Sequence, residues 1–137
     1  MLPQNNEQFN GRQYHRVDVR TPCRFRLRTL GNKTFRTGEL LDGFIENLSG
    51  GGLSFISRRD LPDSEMLAWQ FMIEFDTEVL NLLGRIVWKR TANGDTYYYG
   101  VQFLFTEHND QQRLINMLNR FQIIRRIRER TTRNPLA

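Results

Sequence analysis

An internal disulfide is closed to this chain, because Cys23 is its only cysteine. A single thiol suits a reducing compartment. Apolar runs long enough to span a bilayer are absent, and the N-terminus Met1-Leu2-Pro3-Gln4-Asn5-Asn6 has no signal-peptide character, so the expected location is the cytoplasm. Histidine is scarce as well: His15 and His108 are the whole supply, and no cluster of Cys, His and carboxylate has metal-ligand spacing. There is no Gly-Lys-Ser/Thr phosphate loop and no dinucleotide fingerprint, and Ser49 has no base partner readable from sequence. No catalytic residue, metal or cofactor is therefore expected, and an enzyme is not the reading. Four prolines and ten glycines are ordinary usage, which excludes a low-complexity chain.

What is present is one domain's worth of core. The 137 residues are 39% hydrophobic, enough for a single buried centre. The net charge of +5 is unevenly spread. Residues 12–36 carry eight Arg or Lys against Asp18, and residues 113–133 carry seven Arg against Glu129. Residues 37–112 hold five bases against twelve acids. A domain basic at both ends and acidic between them suits an anionic partner gripped near the ends.

Hydrophobic periodicity is mostly that of strands. Residues 1–12 lack a pattern and read as a flexible tail. Pro22 biases Thr21 towards extended geometry and makes Arg20 the last residue before a strand. Cys23, Phe25 and Leu27 then alternate with Arg24, Arg26 and Arg28, one face buried and one basic. Lys33 to Leu41 reads as a strand interrupted near Asp42-Gly43 and resumed over Phe44 to Leu48, and Leu53 to Ser57 follows as the next. Trp69, Phe71, Ile73 and Phe75 form one face of another strand, and Gly84 marks a kink or bulge in the strand Glu78 to Arg90. Asn93-Gly94 signals a hairpin into the last strand, whose apolar face is Tyr97, Tyr99, Val101, Phe103 and Phe105. About six antiparallel strands with short turns imply a small barrel or sandwich. From Asp110 the spacing of Leu114, Met117, Leu118, Phe121, Ile124 and Ile127 is helical to about Arg130, with Asn134-Pro135 as the stop. The division expected is a tail over 1–12, a barrel with an arginine arm over 13–107, and a helix with a basic tail over 108–137.

Two stretches carry chemistry. Asn47-Leu48-Ser49-Gly50-Gly51-Gly52 puts three glycines between strand-like flanks, which means either a tight turn or a close approach to bare backbone. Some thirty residues earlier, Arg16-Val17-Asp18-Val19-Arg20 sets two arginines four apart. In this order, R-x-x-x-R followed by N-x-S-x-x-G resembles the signature of PilZ domains, bacterial receptors for the second messenger cyclic di-GMP. The resemblance covers roughly residues 14–106, including Gly84-Arg85-Ile86-Val87-Trp88 and Tyr99-Gly100-Val101-Gln102-Phe103. It implies a mainly β fold, a six-stranded antiparallel barrel with a C-terminal α-helix. One departure is Leu40 to Gly43, which looks like a small insertion ahead of the second motif.

The resemblance also implies a ligand site. Arg16 and Arg20 would hold phosphate and guanine, for which the planar guanidinium fork is suited. Asn47 would meet the guanine N1/N2 edge, Ser49 would add a hydrogen bond, and Gly51 and Gly52 would let backbone N–H groups approach. His15, just ahead of the first arginine, bears in that family on whether one ligand or a stacked pair is bound; an imidazole there stacks on a guanine or is merely exposed. Trp88 either stacks on a base or belongs to the core, with core the stronger expectation for a strand aromatic. Besides cyclic di-GMP, a downstream protein partner is expected. The competing readings are a basic barrel for RNA or single-stranded DNA and an interaction module that binds no nucleotide. Aromatics confined to one face of each strand argue against the first, and the intact motifs against the second. Residues 1–20 are expected to gain order over the ligand. Beyond Ile124, Arg125, Arg126, Arg128, Arg130 and Arg133 are expected to contact a partner or the arm.

Overall fold

Alternation of apolar and basic residues makes the long first strand, β1 (Val17–Leu30), with Val17, Cys23 and Phe25 buried and Arg24 exposed. The computed structural model describes residues 14–34, 38–75 and 78–133. The expected tail over residues 1–12 and the helix stop at Asn134-Pro135 lie outside the described residues. After β1 come a short β2 (Lys33–Thr34), β3 (Leu41–Leu48), β4 (Gly52–Ser57), β5 (Leu67–Phe75), β6 (Glu78–Thr91), β7 (Tyr97–Phe103) and a helix, α1 (His108–Arg133).

All pairings are antiparallel, in the order β2-β1-β3-β4-β7-β6-β5, and β5 pairs back onto β1. Six strands thus close into a barrel, with β2 an appendage on the end of β1. The strand β1 serves two neighbours: Val17 to Phe25 pair with β3, and Cys23 to Leu30 pair with β5.

Inside the ring four aromatic residues are fully buried: Phe25, Phe55, Phe71 and Tyr99. Phe55 is the hub, with ring centroids 5.1 Å from Phe25, 5.3 Å from Phe71 and 5.0 Å from Tyr99. Such pairs add about 0.5–1.5 kcal/mol each beyond burial. The Tyr99 hydroxyl accepts from the Leu61 N–H at 2.8 Å and donates to the Arg59 carbonyl, and burial raises its pKa. Leu114, Met117 and Leu118 join this core, so α1 packs on the barrel by its first half. Phe121 still packs against it, but beyond that Ile123 and Ile127 are 55% and 58% exposed.

Several local expectations need correction. The strand begins at Val17, not after Arg20, because Val17 and Asp18 already pair with Leu48 and Asn47. No break occurs at Asp42-Gly43. These residues continue β3 opposite Arg24 and Cys23, and a Cβ on Gly43 would lie 3.1 Å from the rings of both Phe25 and Phe55. Glycine there makes room for the core. The bulge of β6 falls between Ile86 and Trp88, while Gly84 pairs regularly with Trp69 and Phe103. Finally, the helix continues to Arg133, and Ile127 is not part of its buried stripe.

Candidate functional site

The register lays the motif residues along one outer row of the barrel. Asp18 opposes Asn47, Asn47 opposes Ser54, Ser54 opposes Gly100, and Gly100 opposes Trp88. Directly opposed residues share a face. Gly100 lies between inward-facing Tyr99 and Val101, so the row faces outward. From Asn47 to Trp88 it crosses three strand spacings, roughly 14 Å.

Trp88 is 43% exposed, which corrects the expectation of a core residue. The reason is the bulge that precedes it together with a missing side chain opposite. A Cβ on Gly100 would fall 1.8 Å from Trp88 Nε1, so the indole lies on bare backbone. The Arg90 guanidinium stands 5.7 Å from the indole centroid on its flank.

At the other end of the row, β1 is irregular between Asp18 and Thr21. Arg20 there has φ 44°, the left-handed region that L residues seldom occupy. A β-bulge with one residue in this conformation takes its side chain out of the strand's alternation. Arg20 and Arg16 are both exposed, and Arg16 directly precedes Val17, whose partner is Leu48.

The glycine turn is closed by its own hydrogen bonds. Ser49 is 4% exposed, and its hydroxyl accepts from the Gly51 N–H at 3.1 Å and the Gly52 N–H at 3.2 Å while donating to the Gly52 carbonyl at 3.3 Å. Its own N–H donates to the same carbonyl at 2.9 Å. The hydroxyl is thus committed within the turn, and so are the N–H groups of Gly51 and Gly52. The glycines admit protein, not an open approach to backbone. A Cβ on Gly52 would lie 2.0 Å from the Val101 carbonyl oxygen, one on Gly51 3.0 Å from the Tyr14 ring, and one on Gly50 2.8 Å from Ile115. Gln111 of α1 closes the arrangement, donating to the Gly50 carbonyl at 2.9 Å. The turn is therefore clamped between Tyr14, β7 and α1, and Asn47 projects from a rigid base.

His15 is exposed beside a small pocket of about 200 Å³ that it shares with Tyr14, Gly50, Asn119 and Gln122. Gln122 also lines a larger cleft of about 430 Å³ between the Arg20 bulge and the far end of α1, to which Arg125 and Arg126 contribute. The Arg125 guanidinium donates to the Asp18 carbonyl and lies 5.0 Å from the Phe121 ring centroid. The structure thus brings one of the helix arginines to the arm. Ser54, Gly100, Tyr14, Gln111 and Arg126 were not singled out from sequence as site residues. Of these, only Gly100 carried a local signal, a residue without a side chain at an outward position of a strand. Among the described residues no group of three His, Cys, Asp or Glu side chains is placed to hold a metal ion, and no helix is long and apolar enough to cross a membrane.

A closed six-stranded antiparallel barrel, with an arginine bulge beside a braced glycine turn, defines the class. The chain belongs to the PilZ domain family, whose model matches residues 10–120. Among solved structures it is similar to Escherichia coli YcgR in complex with c-di-GMP, with a TM-score of 0.63 and 17% identity over 89% of this chain and 50% of that one. It is also similar to the Bacillus subtilis inhibitor of motility MotI/DgrA, with a TM-score of 0.60 and 16% identity over 84% of this chain and 53% of that one. The isolated PilZ domain of E. coli YcgR with c-di-GMP gives a TM-score of 0.56 and 17% identity over 88% of this chain and 97% of that one. At such identities the likeness is one of fold. The chain spans about half the length of the full YcgR and MotI/DgrA chains. A search of curated proteins finds no match.

Proposed function

We propose that this PilZ domain is a cyclic di-GMP receptor, not an enzyme, that acts in the bacterial cytoplasm. The observation that carries the reading is the outer row itself. It runs from the bulge that bears Arg20, past the amide of Asn47 and the small residues Ser54 and Gly100, to the exposed face of Trp88. A flat dinucleotide resting there meets guanidinium groups at one end, an amide donor and acceptor on the floor, and an indole for stacking at the other. Arg16 and Arg20 take phosphate and guanine edges, Asn47 takes a guanine, and Trp88 stacks. Ser49, Gly51 and Gly52 position Asn47. Their polar groups are satisfied within the turn, so they make no direct contact with the ligand. The YcgR structures that resemble this fold hold c-di-GMP, which supports the choice of ligand.

The segment bearing His15 and Arg16 closes over the ligand, at an ordering cost of roughly 1–2 kcal/mol per residue fixed. A downstream protein reads the closed state. His15 sits where a second, stacked ligand would be met, and the binding stoichiometry decides between one ligand and two. An oligonucleotide-binding role finds less support, because the aromatics a stacking platform needs, Phe25, Phe55, Phe71 and Tyr99, are buried.

Isothermal titration with cyclic di-GMP and with linear GMP tests the proposal. Cyclic di-GMP should bind with measurable heat and linear GMP far more weakly, and the pair Arg16→Ala/Arg20→Ala should lose at least tenfold in affinity, about 1.4 kcal/mol. No binding by the wild-type chain, or equal binding by the double variant, overturns it.

A further inference from the structure

The cleft between β1 and α1 has a charge arrangement that the signature motifs do not explain. Three arginines, Arg20, Arg125 and Arg126, line it together with two acidic residues, Asp18 and Glu129. Arg125 is anchored to the Asp18 carbonyl and the Phe121 ring, so it ties helix to arm. Neither Arg20 nor Arg126 has an ion-pair or hydrogen-bond partner among the described residues. Two cations from elements far apart in sequence thus open on one space, a repulsive arrangement that an anion between them relieves. Arg20 is held towards this space by a left-handed backbone, a conformation that persists only where its surroundings impose it.

We propose that Arg126 of α1, with Arg20 opposite, clamps a phosphodiester of the bound cyclic dinucleotide, so that the C-terminal helix supplies part of the receptor site. The inference rests on the receptor reading above and extends it to a residue outside both motifs. A phosphodiester carries one charge on two equivalent oxygens, which suits one guanidinium fork from each side. Arg125 is the positioning residue, because its contact with Asp18 fixes the distance across the cleft. Gln122 lines both this cleft and the pocket beside His15.

The test is titration of the full chain with cyclic di-GMP at low and high salt, comparing wild type with Arg126→Gln, Arg126→Lys and Arg130→Gln. Arg130 lies on the same helix and is exposed, but does not line the cleft, so its variant removes the same charge at a neutral place. Arg126→Gln should weaken binding about tenfold to a hundredfold, the effect of one lost charge-assisted contact. Its affinity should also depend less on salt, whereas a merely structural defect would leave the salt dependence alone. Arg126→Lys should fall between, keeping charge but losing the fork, and Arg130→Gln should stay within about twofold of wild type. Thermal unfolding of each variant should match wild type. Equal affinities for Arg126→Gln and Arg130→Gln, with wild-type binding intact, overturn the clamp and leave the receptor reading standing. Absence of wild-type binding removes both.

Discussion

Replacing Ser49 with alanine separates bracing of the turn from contact with a ligand. The substitution takes one hydroxyl from a buried site and leaves the N–H groups of Gly51 and Gly52 without the acceptor they share. The Gly52 carbonyl keeps the Ser49 N–H at 2.9 Å, so on the acceptor side the loss is small. A fully buried orphan donor costs about 1–3 kcal/mol, but Gly51 and Gly52 are half-buried and water reaches them in part. The sum is therefore about 1–2 kcal/mol. For a domain of this size that lowers Tm by about 3–8 °C. Differential scanning calorimetry and urea unfolding measure it, with Ser54→Ala as a control in the outer row expected to change stability by less than about 0.5 kcal/mol. Affinity for cyclic di-GMP should fall along with stability, because Asn47 loses its rigid base. If Ser49→Ala melts like wild type yet binds the ligand far more weakly, the hydroxyl touches ligand and the bracing argument is wrong.

Two further outcomes follow from the barrel. Gly100→Ala should displace the Trp88 indole, whose Nε1 lies 1.8 Å from the new Cβ, shifting tryptophan emission and weakening ligand binding while the inner core keeps its packing; unchanged emission in a Trp69→Phe background would show that the indole does not rest on Gly100. The Cys23 thiol, pushed up from its usual 9.0 to about 12 by burial and then by the Asp42 carboxylate, should resist thiol reagents until the chain unfolds. Between those values the unfolded chain releases a proton that the folded one keeps, so the stability is fully present below pH 9 and falls as pH rises, by up to about 1.4 kcal/mol per unit. A Cys23→Ala variant should lose this part of the alkaline slope, and identical pH profiles for the two proteins would refute it.

The inward faces were legible because each is decided within one strand. Trp69, Phe71 and Ile73 alternate with Gln70, Met72 and Glu74, and only one face of a half-buried strand is apolar. The two motifs were legible too, as residue types at a fixed spacing. What escaped were features decided by a distant neighbour. Gly43 looked like a break because the Phe25 and Phe55 rings that fill its empty side come from other strands. Gly51 and Gly52 read as open backbone, yet Tyr14 and the Val101 carbonyl occupy that space. The destination of the C-terminal arginines rests on a contact between Arg125 and Asp18, 107 residues apart, and no local pattern encodes it.

Closure of the ring through both sides of β1 also limits how this domain can transmit force. A closed sheet has no free edge, so β1 cannot shift against one neighbour without shifting against the other. Sliding it by one residue would turn Val17, Cys23 and Phe25 outwards, at about 1.5–3 kcal/mol each, a total of roughly 5–9 kcal/mol. A micromolar ligand supplies about 8 kcal/mol in all. Binding would be consumed by such a slip and leave nothing for affinity. The barrel therefore behaves as an anvil: a ligand-driven displacement would have to fall at the irregular Arg20 bulge or in elements packed outside the ring, such as the outer part of α1. At the start of β1 the Arg125 guanidinium donates to the Asp18 carbonyl, so a displacement there would bear directly on the helix.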